Sequence, residues 1–300
     1  MRNIIESVVT MLLVISPTIS HAIDTSISKY FNTEISYTRG YDEDVSTPDN
    51  PISNERLSDD FGLIELGLEI DLGKSGYLAY DYEQTHYDSL GTNDNDAHSI
   101  SFGTSFESSN LDLGIDIAYT NMSLDSEDFM ELITVGPSGS FSAGNAVYSI
   151  STQWTKKELE TVDTLDGDNY SVGVSSLFFS EDFRSYLNLS LIYEFEDARA
   201  SDNDFRGAML TFSGKRPAPL FGFDSFLGAS VSYRDREYYK VSDILTRNKN
   251  DQLKFIFYHQ TYFKKNVYGR LEYEYKELKT NQVDSTYDAH KIEYKFTISF

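Results

Sequence analysis

The chain has 300 residues, no cysteine, and 48 acidic against 25 basic residues, a formal net charge of -23. That balance excludes nucleic acid and anionic surfaces as general partners, because both require basic patches. The lack of cysteine excludes disulfides, thiolate metal sites and lipidation at a mature N-terminal Cys.

Mean hydropathy is low, at -0.41, yet Tyr (22) and Phe (20) are abundant and Pro (6) is scarce. Strands with one apolar and one polar face, aromatic belts at two interfaces and few positions lacking a backbone N–H give this mixture. The chain opens with Met1-Arg2-Asn3, a mostly apolar run over 4–15 and Ser20-His21-Ala22. These features predict a secretory signal peptide over 1–22 and a mature chain over 23–300. Beyond it no apolar run approaches the ~20 residues of a spanning helix.

From there the chain alternates. A strand is expected over 29–37, with Phe31, Ile35 and Tyr37 on one side, followed by a polar loop over 39–60. Ile64, Leu66, Leu68, Ile70 and Leu72 alternate with Glu65, Gly67, Glu69 and Asp71, and Gly73-Lys-Ser-Gly76 reads as a tight turn. Leu78, Tyr80 and Tyr82 lead to a polar loop over 89–96; Ile100, Phe102 and Phe106 return, 108–110 turns, and Leu111 to Tyr119 goes out again. Short turns alternate with long loops, as in barrels that keep turns on one side of a membrane and loops on the other.

The middle admits two readings. Either 129–135 and 146–154 are strands joined by a turn at Gly136-Pro-Ser-Gly139, or 122–144 is one loop that can plug a lumen. Further strands are expected around Val172, Leu189, Val231, Phe255 and Tyr273, with a poorly defined one over 205–213 and a turn over 215–222. The total is about fourteen strands with 129–135 counted and about twelve without, an even number in either case.

The last strand is the most regular. Ile292, Tyr294, Phe296, Ile298 and Phe300 fall on one face, and Lys291, Glu293, Lys295, Thr297 and Ser299 on the other. This strand resembles the closing strand of bacterial outer-membrane β-barrels, which typically ends in Phe. The resemblance implies an all-β antiparallel transmembrane barrel in the cell outer membrane, among outer-membrane lipid and lipopolysaccharide. It also implies that Tyr294, Phe296, Ile298 and Phe300 form the signal read by the barrel assembly machinery. A narrower resemblance covers Arg247-Asn-Lys-Asn-Asp251, Lys264-Lys-Asn266, Tyr273-Glu-Tyr275, Asn281 and Tyr287-Asp288. These look like the closing strands of surface lipoprotein assembly modifier barrels and related exopolysaccharide-export barrels. Those barrels usually follow a tetratricopeptide-repeat domain, and no helix-period repeat is legible here.

With apolar residues facing lipid, the alternate positions line the interior. Glu65, Glu69, Asp71, Asp81, Glu83, Asp112 and Asp116 form an acidic arc, whereas Lys254, Arg270, Glu272, Glu274, Lys276, Lys291, Glu293 and Lys295 form a mixed to basic one. A wet lumen with segregated charge sorts solutes by charge, so a porin-like, cation-preferring diffusion channel is the first expectation. An export or surface-display barrel for a secreted or lipid-anchored client protein is the second, and a non-conducting scaffold or adhesin the third. His86, His98, His259 and His290 stand apart without metal-ligand spacing, and no Gly-x-Ser-x-Gly or similar motif occurs, so neither an enzyme nor a cofactor is expected.

Overall fold

A sheet with one apolar face must bury that face against a second layer or turn it toward lipid. In lipid, its edges must also vanish, because an unpaired N–H or C=O in hydrocarbon costs several kcal/mol. The computed structural model describes residues 31–45, 57–73, 76–160, 162–238, 248–280 and 287–300, and in it the sheet closes. The strands are β1 (Phe31–Val45), β2 (Leu57–Asp71), β3 (Gly76–Tyr87), β4 (Asn95–Ser108), β5 (Leu111–Leu124), β6 (Glu127–Ala143) and β7 (Ala146–Leu159). They continue as β8 (Gly167–Phe179), β9 (Tyr186–Ala198), β10 (Phe205–Pro217), β11 (Asp224–Tyr238), β12 (Asn248–Lys264), β13 (Val267–Thr280) and β14 (Tyr287–Ser299). Each pairs antiparallel with its chain neighbours, and β1 pairs with β14 from Glu34↔Ser299 to Asp42↔Lys291 to close the barrel. The expected signal peptide lies outside the described residues.

Exposure fixes which face is outside. Leu187, Leu189, Leu191 and Tyr193 on β9 are 52%, 47%, 47% and 53% exposed, whereas Thr38 and Thr297 on the opposite face of their strands are at most 1% exposed. The apolar face therefore points outward. Rings cluster toward both ends of that face: Tyr80, Tyr82, His98, Tyr119, Tyr273 and His290 on the long-loop side, and Phe106, Phe141, Phe178 and Phe263 toward the short turns. Tyr80 and Tyr273 each hydrogen-bond the Nδ1 of a histidine, His98 at 2.8 Å and His290 at 2.7 Å. Such amphipathic rings suit a membrane–water interface.

The short turns lie at the rim shared by Phe300 and the start of β1, which is the periplasmic rim by the usual asymmetry. On the opposite rim, three loops use one device. Asp94, Asp166 and Asp204 each follow a single 3-10 turn and accept the backbone N–H of the last residue of the preceding ascending strand, from Tyr87, Leu159 and Ala198, at 2.7–2.8 Å. In the loop over 88–94, the hydrogen bond from the Arg39 guanidinium holds the Asp88 carboxyl below the usual carboxylate range.

Three expectations need correction. Residues 122–144 are neither a loop nor a plug: β5 continues to Leu124, a tight turn at Asp125 and Ser126 follows with both φ positive, and β6 runs unbroken through Gly136-Pro-Ser-Gly139. Pro137 fits because it pairs with Ile115 on one side, while on the other the β6–β7 ladder passes from Val135↔Trp154 to Ser138↔Ser151 without it. Second, much of the segment expected as a loop over 39–60 belongs to β1 and β2. Strands of 12–17 residues exceed the ~9–11 that cross a bilayer, so their upper parts stand beyond lipid, where the outer face has no reason to be apolar. Third, β10 extends to Pro217 and the reversal occupies 218–223.

Leu191 sits midway along the outer apolar row of β9, so Leu191→Arg is expected to cost about 2–4 kcal/mol. Ser190→Arg, on the inner face opposite Thr211 and Ser175, should cost much less. Urea titrations of folding into lipid vesicles measure both.

Candidate functional site: the lumen wall

The inner face is built by the residues between the apolar ones. The register puts Glu65, Glu69 and Asp71 of β2 level with Glu83, Ala79 and Tyr77 of β3, and Asp116 of β5 beside Gly103 of β4. Asp81 and Asp112 share this face. Among the described residues no cation pairs with Glu69, Asp71, Asp81, Glu83, Asp112 or Asp116; Glu69 accepts a hydrogen bond from Asn32 at 3.1 Å and Asp116 one from Tyr77 at 2.8 Å. Along this wall run two open cavities of about 440 and 560 Å³ that share Glu34, Gly67 and Asp81. Ser99 and Ser101 on β4 border that space, and small inner residues continue round the wall with Gly103 on β4, Ser138 and Ser140 on β6, and Ser149 and Ser151 on β7.

The opposite arc is filled. Lys254 pairs with Glu274 at 2.6 Å, Lys291 with Glu293 at 3.0 Å, and Arg270 with Glu272. Several pairs vault over an intervening strand, which the shorter spans of the concave side favour. Lys295 of β14 reaches Glu65 of β2 at 2.6 Å, Lys157 of β7 reaches Glu196 of β9 at 2.6 Å, and Arg236 of β11 grips Glu194 of β9 at 2.7 and 3.0 Å. Lys276 of β13 likewise pairs with Asp44 of β1. Cations here also lie over rings: Arg270 over Tyr258 at 3.8 Å, Arg236 over Phe205 at 4.3 Å, Lys215 over Phe226 at 4.4 Å and Lys291 over Phe61 at 4.7 Å. Glycine seats two of the inner rings. A Cβ at Gly228 would come within 2.1 Å of the Tyr258 ring, and one at Gly103 within 2.2 Å of Tyr77.

The residues anticipated for the lumen thus share the inner face, but they divide differently. Glu65 belongs to the neutralised arc through Lys295, so the two arcs meet across β1 at the barrel's closing strands. Glu194, Glu196, Arg234, Arg236, Lys157 and Lys215 also face inward and escaped sequence reasoning. Their signal was available in Tyr193-Glu-Phe-Glu196, where carboxylates interleave with two outward rings. Tyr294, Phe296, Ile298 and Phe300 occupy the outer row of β14, with Tyr294 and Phe300 each 45% exposed. His259 also faces outward, opposite Leu227 and Leu271.

Glu194 is 9% exposed and receives two guanidinium hydrogen bonds from Arg236, with Arg234 3.7 Å away. Glu194→Ala is therefore expected to lower folding stability by about 2 kcal/mol through two stranded inner guanidinium groups. Glu69→Gln, which strands no cation, should change it by well under 1 kcal/mol; the same urea titration compares them.

A family model described as surface lipoprotein assembly modifier matches residues 68–300. No curated protein matches the chain by sequence. Similar solved structures include a bacterial polysaccharide outer membrane secretin, at 10% identity and a TM-score of 0.53 over 89% of this chain and 98% of that one. OmpT, an outer membrane protein of Vibrio cholerae, is also 10% identical with a TM-score of 0.53, over 90% and 96%. An anion-selective porin from Comamonas acidovorans is 8% identical with a TM-score of 0.51, over 90% and 98%. At these identities the likeness is one of fold, and the fold is that of outer-membrane barrels.

Proposed function

Because the chain belongs to the surface lipoprotein assembly modifier family, we propose that it serves as the outer-membrane barrel through which a lipid-anchored client protein is placed on the cell surface. The observation that carries this reading is the extent of the family match, which begins in β2 and runs to Phe300. The barrel takes no part in catalysis; its work is to supply a passage and a wall. The row Tyr294, Phe296, Ile298 and Phe300 acts as the signal for the barrel assembly machinery, and the acidic outer loops face lipopolysaccharide across bridging divalent cations. Deleting the gene should leave total client lipoprotein unchanged but remove its sensitivity to protease added to intact cells. Unchanged protease sensitivity would contradict the proposal.

A second reading, compatible with the first, is passive passage of small cations. It is favoured by six inner carboxylates that form no ion pair among the described residues, three of which, Glu69, Asp81 and Glu83, line cavities of about 440 and 560 Å³. In planar bilayers under a salt gradient, the refolded protein should conduct with a cation preference. The double substitution Glu69→Gln and Asp81→Asn should reduce that preference while leaving client display intact. A barrel that inserts and stays silent would remove this second reading alone.

A further inference from the structure

On the outer face, toward the periplasmic rim, the wall is indented. Phe178, Leu187, Leu227 and Phe257 enclose a groove of about 620 Å³ whose floor is made by Gly214 and Ala229, where neighbouring outer positions carry large side chains. The volume falls within the ~300–1,000 Å³ range of small-molecule sites. Its lining is mostly apolar; Ser180 and Ser185 of the β8–β9 turn and Lys215, whose ammonium lies over the inner ring of Phe226, also border it, and at its rim Arg216 follows Gly214 in the outer row of β10, opposite Leu227. Arg216 is exposed, and among the described residues no carboxylate forms an ion pair with it. Arg39 pairs with Asp88, Lys156 with Glu158 and Arg184 with Asp224; Lys264 and Lys265 of the β12–β13 turn also form no ion pair among the described residues, but neither lines the groove as Arg216 does. In a chain of net charge -23, a cation left without an acidic partner at an interface, directly beside an apolar groove, is complementary to an amphiphile with an anionic head and an acyl tail.

We propose that this groove holds an acyl chain of an anionic phospholipid of the periplasmic leaflet, with Arg216 donating to its phosphate. A guanidinium suits that role because its planar fork bonds phosphate bidentately and desolvates readily. The tail follows the outer wall between Leu187 and Phe257, where Gly214 and Ala229 leave room, and the head lies level with the end of β10. The site is independent of the lumen, and hence of the passage assigned to it.

The test is native mass spectrometry of the detergent-extracted barrel supplied separately with phosphatidylglycerol, phosphatidylcholine and a synthetic triacylated lipopeptide. Wild type should retain phosphatidylglycerol. Arg216→Gln should retain about tenfold less, as expected for loss of a charge-assisted bidentate contact, and Arg216→Lys should recover part of it. Ala229→Phe, which fills the floor, should abolish retention while leaving the heat-modifiable migration of a folded barrel unchanged. Equal retention by wild type and Arg216→Gln, or equal retention of phosphatidylcholine and phosphatidylglycerol, would overturn the proposal. So would preferential retention of the lipopeptide, which would make the groove a seat for a protein's lipid anchor, or a dimer dispersed by Ala229→Phe, which would make it a contact between copies.

Discussion

Everything in this molecule follows from the need to pair each backbone N–H and C=O where there is no water to replace a missing partner. A sheet meets that requirement only by closing, and here closure rests on the β1–β14 ladder. Once closed, the barrel must be apolar outside and wettable inside, which inverts the arrangement of a soluble sandwich. The low mean hydropathy and the large acidic excess are then compatible with a membrane protein, since half of every strand faces inward and the upper parts of the strands stand in water.

The inward half divides the lumen. From β9 round to β1, cations, carboxylates and rings interlock, several of them across an intervening strand, and this arc acts as a stiff, nearly neutral wall. From β2 to β8, small side chains and carboxylates without ion pairs keep space open. One arc thus supports the barrel and the other borders its open space. The substitutions that weaken folding are accordingly expected on the first, and those that alter what passes on the second.

Sequence alone carried the fold wherever strands lie in hydrocarbon. On β2, β5, β9 and β14 every outward position within the belt must be apolar, so the period of two is unbroken and the inner residues can be named in turn. It failed where that pressure lapses. At Arg39–Val45 and again around Asp59, the strands project beyond lipid and both faces become polar, so they read as loop. At Pro137 a turn-forming residue is tolerated inside β6 because its missing N–H coincides with a gap in the β6–β7 ladder. Individual inner residues were legible, but their partners were not. Lys295 with Glu65 and Arg236 with Glu194 are joined across an intervening strand, and only the curvature of the closed sheet brings them together. The family, in contrast, could be read from the closing strands, where β12 to β14 carry both the turn residues and the terminal Phe.

The sidedness of the closed wall underlies both the lumen and the lipid face, and the absence of native cysteine makes it directly measurable. Single cysteines placed in turn from Leu187 to Tyr193 in cells carrying the assembled protein can be probed with a small water-soluble maleimide and with a lipophilic one. Strict alternation is expected: cysteines at Leu187, Leu189, Leu191 and Tyr193 react with the lipophilic reagent, and those at Asn188, Ser190 and Ile192 with the soluble one. Uniform labelling along the strand, or the opposite alternation, would contradict it.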